Sequence, residues 1–371
     1  MVLSVFNPEN DLALANGLAS YVAPKAIRRM AQDLFRLPKV WIKTDKIIFF
    51  RDNLDLKSAH IAGCQVWGWS NQVRRRLIDA GVDEAILPTP VMLDKSREWA
   101  HRRHTLEVLS YFHSSPHYLY VLPTIPVCAT TEEEVNDFIS NNCQWLLKQP
   151  WSSSGKGLLW PNQMSEAHRE GWIRQTITRM GGVMCEQVYD KIFDMGIGFY
   201  IDDQGQVRSE GFSLFITDKK GAYIGNCLVS DDDIIDFVGE YIPTEQLYKT
   251  RKLLLAFIQE NIAEFHRGYL GVDLMVYKDL DGDFQLHPCV EINLRMTMGI
   301  LARKYFDYNM EKGDRGIFRI IAAPSNKALS EQIELLKEQY NNLQMLTTPT
   351  VDANYAAVVY DIDDFEILLS N

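Results

Sequence analysis

Short apolar segments alternate with amphipathic segments along the first 95 residues. "VLSVF", "KIIFF" and "CQVWGW" have the composition of buried strands, and "EAILP" is predicted to be another strand. The segment "NQVRRRLIDAG" has helical spacing, with Ser70 as its N-cap and Gly81 at its end. Strands that alternate with helices predict an open, mostly parallel sheet. We therefore expect residues 1–95 to form an N-terminal α/β domain.

The pattern changes between residues 96 and 185. "REWAHRRHTLEVLSYF" predicts one long helix, and "IPVCATTEEEVNDFISN" predicts a strand, a Thr cap and an amphipathic helix. "QWLLKQP" and "GLLWP" are predicted strands on either side of a polar loop, and "SEAHREGWIRQTITRMGG" predicts a helix that stops at its Gly pair. These elements predict a second unit, of α+β type.

Residues 186–325 are richer in strand and are expected to form a third unit. In "KIFDMGIGFYI", every second residue from Phe193 to Ile201 is apolar, which predicts a half-buried strand. A long helix is predicted over about residues 245–266. "GVDLMVYKDLDGDFQLHPCVEINLR" then predicts two strands around an Asp-Gly turn. Residues 326–371 contain one predicted helix and one predicted strand, and we interpret them as a C-terminal extension.

Composition and charge restrict the classes of partner that we expect for this protein. The 371 residues carry a formal net charge of -11 and a pI near 5.3, so a nucleic-acid backbone is not expected as a partner. Six cysteines lie far apart without a CxxC pair, which favours reduced thiols over a zinc site or a disulfide framework. The N-terminus has no basic leader, and no apolar run approaches the roughly 20 residues of a membrane helix. We expect a cytoplasmic protein without a membrane partner, and homo-oligomerisation stays open.

The loop "PWSSSGKG" between the two predicted strands raises the question of a phosphate site. It does not fit the P-loop motif, because Gly157 stands where that motif needs Ser or Thr, Pro150 interrupts the pattern and no helix follows. A loop of small residues between two strands can instead place its backbone N–H groups on phosphates. Lys148 and Lys156 would add positive charge. The alternative interpretation is a solvated hairpin turn.

A second polar pattern lies in "VEINLR". Glu291, Asn293 and Arg295 share one face of a predicted strand, and apolar residues occupy the other face. Carboxylate and amide oxygens suit Mg²⁺, and an adjacent arginine can bind phosphate. Asp273, on the preceding strand, faces Glu291 if the connecting loop has an odd number of residues or if a bulge intervenes. A strict two-residue turn would place Asp273 on the opposite face. The alternative is an exposed polar strand face.

These motifs together resemble the ATP-grasp superfamily. "LLKQPWSSSGKG", "VMCEQVYDK", "GVDLMV" and "VEINLRMTMG" follow one another in the order of that family, over roughly residues 96–312. The resemblance implies the fold class α/β (α+β), with a Rossmann-like N-terminal domain over residues 1–95. It further implies a central subdomain with the phosphate loop (96–185) and a C-terminal subdomain with the metal site (186–325). In that family the two subdomains clamp ATP between antiparallel sheets.

The resemblance also implies roles for individual residues. Lys148 resembles the lysine that contacts the α-phosphate and adenine, and Asp194 resembles the ribose-binding carboxylate. Arg295 resembles the arginine that steadies the transferred phosphate, so the catalytic roles fall to Arg295 and Lys148. Arg102 or Arg103 resembles a basic residue that reaches phosphate, although "HRRH" stands where many relatives carry Asp-Lys. The remaining assignments are a flexible phosphate loop (Ser153, Ser154, Gly155, Lys156), an adenine hinge (Glu186, Gln187, Val188) and metal ligands (Asp273, Glu291, Asn293).

The implied activity is an ATP- and Mg²⁺-dependent ligase. A small-molecule or peptide carboxylate would become an acyl phosphate and would then join an amine or a thiol, with release of ADP and phosphate. Two Mg²⁺ ions are expected, with Mn²⁺ as the alternative metal. One departure from the family is Gly271, because some of its ligases carry an arginine two residues before the metal aspartate. A kinase on the same fold and a nucleotide-binding regulatory protein without turnover stay open as alternative functions.

Two further segments are candidates for parts of the substrate site. "FNPEND" follows the first predicted strand, where open α/β sheets bind ligands, and its polar side chains either contact substrate or form a capping turn. Those side chains are Asn7, Glu9, Asn10 and Asp11. "WGWSNQ" ends a strand and opens a helix, so its N–H groups are candidates for holding a carboxylate. His287 shares a face with Glu291, and a structural role is its alternative.

Overall fold

The N-terminal region folds around a small parallel sheet. The computed structural model of the protein describes residues 1–142, 144–152, 157–161, 165–218 and 222–365. The first sheet has the order β2-β1-β3, and β1 pairs in parallel with both neighbours, as the alternation of strands and helices predicts. Its strands are β1 (Val2–Val5), β2 (Ile47–Phe49) and β3 (Gly63–Val66). The helices around it are α1 (Asn10–Asn16), α2 (Lys25–Asp33), α3 (Asn71–Asp79) and α4 (Pro90–Trp99).

Capping explains where two of these elements begin. The Ser70 side chain accepts a hydrogen bond from the Val73 amide at the start of α3, which confirms the predicted N-cap. The prediction of a strand in "EAILP" is wrong, since Glu84–Ile86 forms a short 3₁₀ helix. The Asp83 side chain accepts from the Ala85 amide, and this local bond favours a turn over an extended chain.

The central region contains a four-stranded antiparallel sheet of order β4-β7-β5-β6. Thr131 and Glu134 form the predicted capping box at the start of the helix that follows the first of these strands. The strands are β4 (Val127–Ala129), β5 (Trp145–Lys148), β6 (Leu158–Leu159) and β7 (Val183–Gln187). The helices are α5 (His104–Ser114), α6 (Glu132–Asn141) and α7 (Glu166–Met180).

The single long helix predicted from "REWAHRRHTLEVLSYF" is wrong, because the chain breaks between α4 and α5. At the break the Arg103 amide donates to Nδ1 of His101, and the Arg102 amide donates to the Pro150 carbonyl. These bonds replace the helical pattern of backbone hydrogen bonds. The resulting turn brings the 101–103 segment against the end of β5, where the polar loop begins.

An eight-stranded sheet forms most of the third region, in the order β12-β11-β8-β9-β10-β13-β15-β14 with antiparallel pairing. Its strands are β8 (Asp190–Ile201), β9 (Val207–Thr217), β10 (Tyr223–Leu228), β11 (Gly268–Lys278), β12 (Phe284–Asn293), β13 (Gly316–Ala322), β14 (Gln344–Met345) and β15 (Tyr355–Asp361). The helices are α8 (Asp231–Gly239), α9 (Thr244–Asn261), α10 (Met298–Asn309) and α11 (Asn326–Gln339).

One face of this large sheet is a continuous core. The alternating residues of β8 from Phe193 to Ile201 are buried, as their spacing predicts. The segment beyond residue 325 packs into the same core, because β15 pairs with β13 and buries Ala356 and Val358. On the other face, α10 packs against the central strands in a second core with Leu228 and Phe318, and the rest of that face borders a cavity that the four-stranded sheet also lines. Among the described residues, no helix is long and apolar enough to cross a membrane.

Candidate active site

Two neighbouring strands, β11 and β12, bring acidic side chains to one point. Asp273 lies directly opposite Glu291, and Gly271 lies opposite Asn293. From the sequence, this arrangement requires either a connecting loop with an odd number of residues or a bulge, and the structure contains both. Lys278 pairs with Phe284 across a loop of five residues, 279–283, and the register shifts again between Asp273 and Met275. Pro288 lies in the shifted part of β12, where its missing amide proton cannot serve a regular ladder.

The two facing carboxylates are electrostatically unfavourable by themselves. Burial raises the pKa of Asp273 to about 7, and the adjacent Glu291 carboxylate adds to the increase. The Asn293 side-chain amide donates to Asp273 Oδ2 at 3.1 Å, so three oxygen-bearing side chains lie together. Among the described residues, no group of three or more His, Cys, Asp or Glu side chains is placed to hold a metal ion. Two carboxylates with an amide nevertheless fit Mg²⁺, because a hard cation removes the repulsion between them.

A second buried ion pair lies on the four-stranded sheet. Lys148, at the end of β5, places Nζ 2.6 Å from Glu186 Oε2 on β7, and both side chains are almost fully buried. The strands are antiparallel, with Leu146 opposite Glu186, so Lys148 and Glu186 are diagonal neighbours on the same face. Gln187 and Val188 continue β7 into the connection with β8 and line the same cavity.

Asp194 lies on β8, between these two groups. Its carboxylate accepts from Lys191 Nζ and, at 3.0 Å, from Thr217 Oγ1 on β9. Asp194, Lys191 and Thr217 line the cavity between the two sheets. The carboxylate at the predicted ribose position therefore faces the same space as Lys148 and Asp273.

Arg295 is held by the N-terminal region. Its guanidinium donates to both carboxylate oxygens of Asp11, at 2.9 Å to Oδ1 and 2.9 Å to Oδ2, and to Asn293 Oδ1 at 2.9 Å. Asp11 lies in α1, which follows the "FNPE" segment. A bidentate pair of this kind fixes the plane of the guanidinium group. Asp11 therefore contacts a predicted site residue through the ion pair, a role that its position in the sequence does not reveal.

The neighbouring side chains of "FNPEND" serve the local fold. Asn7 donates to the Gly68 carbonyl and accepts from the Gly68 amide, so it ties the end of β1 to the "WGW" segment. Asn10, with its amide oriented to satisfy its neighbours, donates to the same Gly68 carbonyl. Glu9 pairs with Arg76 at 3.1 Å. Asn7 and Asn10 therefore bind the backbone of Gly68, and neither side chain caps α1, whose N-cap residue Glu9 makes no side-chain cap hydrogen bond.

Of the two candidate arginines in "HRRH", the structure places Arg102 at the site. Its guanidinium donates to Glu291 Oε2 at 2.8 Å, to the Gln149 carbonyl at 2.6 Å and to Ser152 Oγ at 2.6 Å. Arg103 points away, donates to Glu98 at 3.0 Å and remains about half exposed. Arg102 thus connects the base of the polar loop to Glu291 on β12.

The predicted phosphate loop lies mostly outside the described residues, which include neither Ser153, Ser154, Gly155 nor Lys156. Its two ends are described. The Gln149 amide donates to the Gly157 carbonyl at 2.8 Å, which closes a hairpin between β5 and β6. Gly157 has a φ of 74°, and a Cβ there would lie 2.6 Å from Gln149 Oε1. Only glycine fits this closure without strain.

Most of the predicted site residues that the structure describes border one cavity of about 530 Å³ between the two sheets. The predicted site residues that line it are Lys148, Glu186, Gln187, Val188, Asp194, Asp273, Glu291, Asn293 and Arg295. Arg103 is not among them. His287 also lines the cavity; burial lowers its pKa to about 3, with Lys148 nearby, so its ring is neutral near pH 7. Its Nδ1 has no hydrogen-bond partner. In the sequence, the position of His287 near the site is indicated by the strand face that it shares with Glu291.

Solved structures with this architecture cover nearly the whole chain. N5-carboxyaminoimidazole synthetase from Staphylococcus aureus, solved with ADP, matches with a TM-score of 0.54 and 11% identity over 98% of this chain and 93% of that one. The biotin carboxylase domain of 2-oxoglutarate carboxylase from Hydrogenobacter thermophilus, solved with MgADP, ADP and bicarbonate, matches with 0.53 and 12% over 97% and 86%. N5-carboxyaminoimidazole synthase from Aspergillus clavatus, with ADP and 5-aminoimidazole ribonucleotide, matches with 0.52 and 10% over 99% and 95%.

No protein-family model matches the sequence, and no curated protein matches it significantly. At 10% to 12% identity, a structural match establishes the fold and leaves the chemistry to be argued from this chain's own residues. The antiparallel sheets, their cavity and the coverage of both chains agree with the order of motifs in the sequence. The chain therefore has the ATP-grasp fold.

Proposed function

We propose that this protein is an ATP- and Mg²⁺-dependent ligase that joins a carboxylate to an amine or a thiol through an acyl phosphate. One observation carries the proposal. The Asp273–Glu291 pair faces a cavity that also contains the buried Lys148–Glu186 pair, and each pair lies on a different sheet. Structural relatives with this fold were solved with ADP or MgADP, and one was solved with bicarbonate as well. These ligands support a nucleotide and a carboxylate-like substrate in the same cavity.

In this proposal the nucleotide lies between the two sheets. The adenine contacts Glu186, Gln187 and Val188, and the ribose contacts Asp194. Lys148 reaches the α-phosphate from the buried end of β5. The β- and γ-phosphates are assigned to the loop Ser153, Ser154, Gly155 and Lys156, and the two described ends of that loop are joined by the hydrogen bond from Gln149 to Gly157. Small residues leave backbone N–H groups free to donate to phosphate oxygens.

Asp273, Glu291 and Asn293 would hold Mg²⁺, as two ions, and Mn²⁺ is the alternative metal. When bound, the metal would neutralise charge on the β- and γ-phosphates. The structure supports this assignment through the unfavourable pairing of the two carboxylates, which a cation relieves. Arg102 donates through all four of its terminal N–H groups, to Glu291, to the Gln149 carbonyl and to the hydroxyl and carbonyl of Ser152, so it would contact a phosphate oxygen beside the metal site by exchanging one of these bonds.

The chemistry consists of two displacements. A carboxylate oxygen attacks the γ-phosphorus, the bond to the β,γ-bridging oxygen breaks, and ADP leaves. Arg295, oriented by Asp11, and Arg102 stabilise the charge on the transferred group. The amine or thiol then attacks the acyl carbon, and phosphate leaves with the former carboxylate oxygen. The site mainly positions the reactants and excludes water from the acyl phosphate.

The test is a screen of carboxylate and amine pairs for phosphate release, with the carboxylate labelled with ¹⁸O. A ligase releases phosphate that carries one ¹⁸O atom, and it does so only when both substrates are present. A kinase forms ADP but leaves the phosphate on its substrate, and a regulatory protein binds nucleotide without turnover. Either of these outcomes would overturn the ligase proposal. Glu291→Ala and Asn293→Ala should each abolish ligation; full activity in these variants would contradict the metal assignment.

A further inference from the structure

The cavity extends well beyond the residues proposed for the nucleotide and the metal. Those residues lie on β12, β11 and β8 and on the four-stranded sheet that faces them. The same cavity continues across β9, β10, β13 and β15, which are the next strands of the large sheet. Four strand spacings of about 4.8 Å separate β8 from β15, so this second half extends for roughly 19 Å. It has room for a ligand other than the nucleotide.

The second half of the cavity differs in chemistry. We call it the apolar arm; it is lined chiefly by Phe215, Tyr223, Met298, Ile320, Ala322 and Tyr355. The charged residues that line the cavity in the described part of the chain all belong to the other half. They are Arg102, Lys148, Glu186, Lys191, Asp194, Asp273, Glu291 and Arg295. Each of the four cations already has a carboxylate partner.

The polar side chains of Tyr223, Asn226 and Thr217 already have hydrogen-bond partners within the protein. The Tyr223 hydroxyl donates to Asn226 Oδ1 at 2.5 Å, and Asn226 Nδ2 donates to the Leu214 carbonyl at 3.2 Å. Thr217 Oγ1 donates to Asp194 at the border of the arm. A phosphate or a second carboxylate placed in the arm would lose its hydration without gaining a cation among the described residues. An alkyl or aryl group would lose only contact with water, which is favourable.

The arm begins beside the proposed reaction centre. Met298 lines it, and Arg295 lies three positions earlier in the chain, beyond the cap residue Thr297 at the start of α10. A molecule that presents its carboxylate at Arg295 can therefore extend its body along β10 and β13. The alternating residues Ile320 and Ala322 of β13 both line the far part of this path.

We propose that the apolar arm binds the uncharged body of the carboxylate substrate. The substrate class is a monocarboxylate with an alkyl or aryl body, in contrast to a dicarboxylate or a phosphorylated compound. This inference rests on the ligase function proposed above, which supplies the position of the reacting carboxylate. It goes further because it predicts which carboxylates the site selects.

The test measures affinity along a series of carboxylates. Calorimetry on the full chain loaded with Mg²⁺ and the β,γ-imido analogue of ATP would compare butyrate, hexanoate and octanoate with suberate, the dicarboxylate of the same length as octanoate. We expect a gain of about fourfold for each methylene added. We also expect suberate to bind at least tenfold more weakly than octanoate. A flat series, or tighter binding of suberate, would overturn the inference.

Substitutions test whether the residues of the apolar arm determine the affinity for the carboxylate. Ile320→Glu should lower the octanoate affinity at least tenfold and leave the affinity for the ATP analogue unchanged. Leu335→Glu is the matched control, because Leu335 is 63% exposed on α11, away from the cavity, and should change neither affinity. Equal octanoate affinity in the Ile320→Glu variant and in wild type would contradict binding of the substrate body in the arm.

Lys219 and Lys220 lie outside the described residues, after Thr217, so a Lys219→Gln/Lys220→Gln variant should keep the chain-length dependence. Loss of the chain-length dependence in this double variant would overturn the inference.

The two proposals fail in different ways. If the ATP analogue and Mg²⁺ do not bind, the ligase function is contradicted. The carboxylate series is therefore also run without nucleotide, where dependence on chain length supports the arm by itself and its absence contradicts it. If the analogue binds and the series is flat, only the inference about the substrate class is lost.

Discussion

At the scale of single residues, Arg102 and Arg103 provide a matched comparison. Arg102 is buried and donates to Glu291, Gln149 and Ser152, whereas Arg103 is about half exposed and donates to Glu98. Arg102→Ala leaves a carboxylate and two backbone carbonyls without their donor, so we expect it to lower the free energy of unfolding by about 2–4 kcal/mol. Arg103→Ala should change it by less than about 0.5 kcal/mol. Chemical denaturation measures both values, and equal effects would contradict the placement of Arg102.

The facing carboxylates predict opposite effects on stability and on ligand binding. Asp273→Asn removes one charge of the pair, so the ligand-free protein should become more stable, by about 1 kcal/mol. In wild type, Mg²⁺ and ATP at 100 times their dissociation constant should add about 2.7 kcal/mol of stability. Asp273→Asn should lose most of that gain. Asp281→Asn, in the exposed loop of the same hairpin, is the control and should change neither quantity.

These measurements use thermal unfolding with and without Mg²⁺ and ATP. A variant Asp273→Asn that is less stable without ligand, yet is still stabilised by Mg²⁺ and ATP, would contradict the metal assignment. The sequence reduced the position of Asp273 to one condition, an odd loop or a bulge, because strand alternation and the parity of the loop decide which face a side chain takes; the structure meets that condition. The choice between Arg102 and Arg103 was not accessible from the sequence. Adjacent residues at a turn point in directions that only the break between α4 and α5 determines.

At the scale of elements, two glycines test how tightly the helices approach the sheet. A Cβ on Gly198 of β8 would lie 2.7 Å from Ile300 Cγ1, where α10 crosses the strand, and 3.3 Å from Glu210 Cβ. Gly198→Ala should therefore lower the free energy of unfolding by about 1–3 kcal/mol. A Cβ on Gly171, on the exposed side of α7, meets no atom within 4 Å. Gly171→Ala should raise stability by about 0.5–1 kcal/mol, through helix propensity. Stabilisation by Gly198→Ala would show that α10 is free to move away.

Elements with a local cause were predictable from the sequence, and those with a distant cause were not. The capping box of Thr131 and Glu134, and the alternation along β8, depend on neighbouring residues, and both were confirmed. The break at 100–103 depends on the Pro150 carbonyl, which lies about fifty positions later and accepts the Arg102 amide. No spacing within "REWAHRRHTLEVLSYF" encodes that partner. The 3₁₀ helix at Glu84–Ile86 has a local cause, the bond from the Ala85 amide to the Asp83 side chain, but its short apolar run suits either a strand or a turn.

At the scale of the whole molecule, the N-terminal region is fixed to the proposed reaction centre. Asp11 holds Arg295, and the Met296 amide donates to the Trp67 carbonyl at 2.8 Å. The two contacts connect the carboxyl ends of β1 and β3, where open α/β sheets place ligands, to the segment that follows β12. The sequence presents "FNPEND", "WGWSNQ" and "VEINLR" as three separate motifs. Only the packing of the regions shows that they form one neighbourhood.

Acid stability tests the burial of histidine across the molecule. Burial lowers the pKa of His266 to about 4, and the pKa values of His101 and His287 to about 3. In the unfolded chain a histidine titrates near 6.5, so between about pH 6.5 and pH 4 the unfolded state binds a proton that folded His266 does not. Stability is therefore fully present above pH 6.5 and decreases as the pH falls. His266 alone should account for a loss of about 2 kcal/mol at pH 5.

His266→Gln isolates this contribution, because glutamine can still donate to the Tyr269 carbonyl that His266 Nε2 contacts at 3.1 Å, and it does not titrate. The substitution has its own cost, which unfolding at pH 7.5 measures. The loss of stability between pH 7.5 and pH 5 should then be about 2 kcal/mol smaller in the variant than in wild type, since every other titrating group contributes equally to both. An unchanged difference would mean that His266 takes up its proton in the folded state, and hence that solvent reaches the segment between α9 and β11.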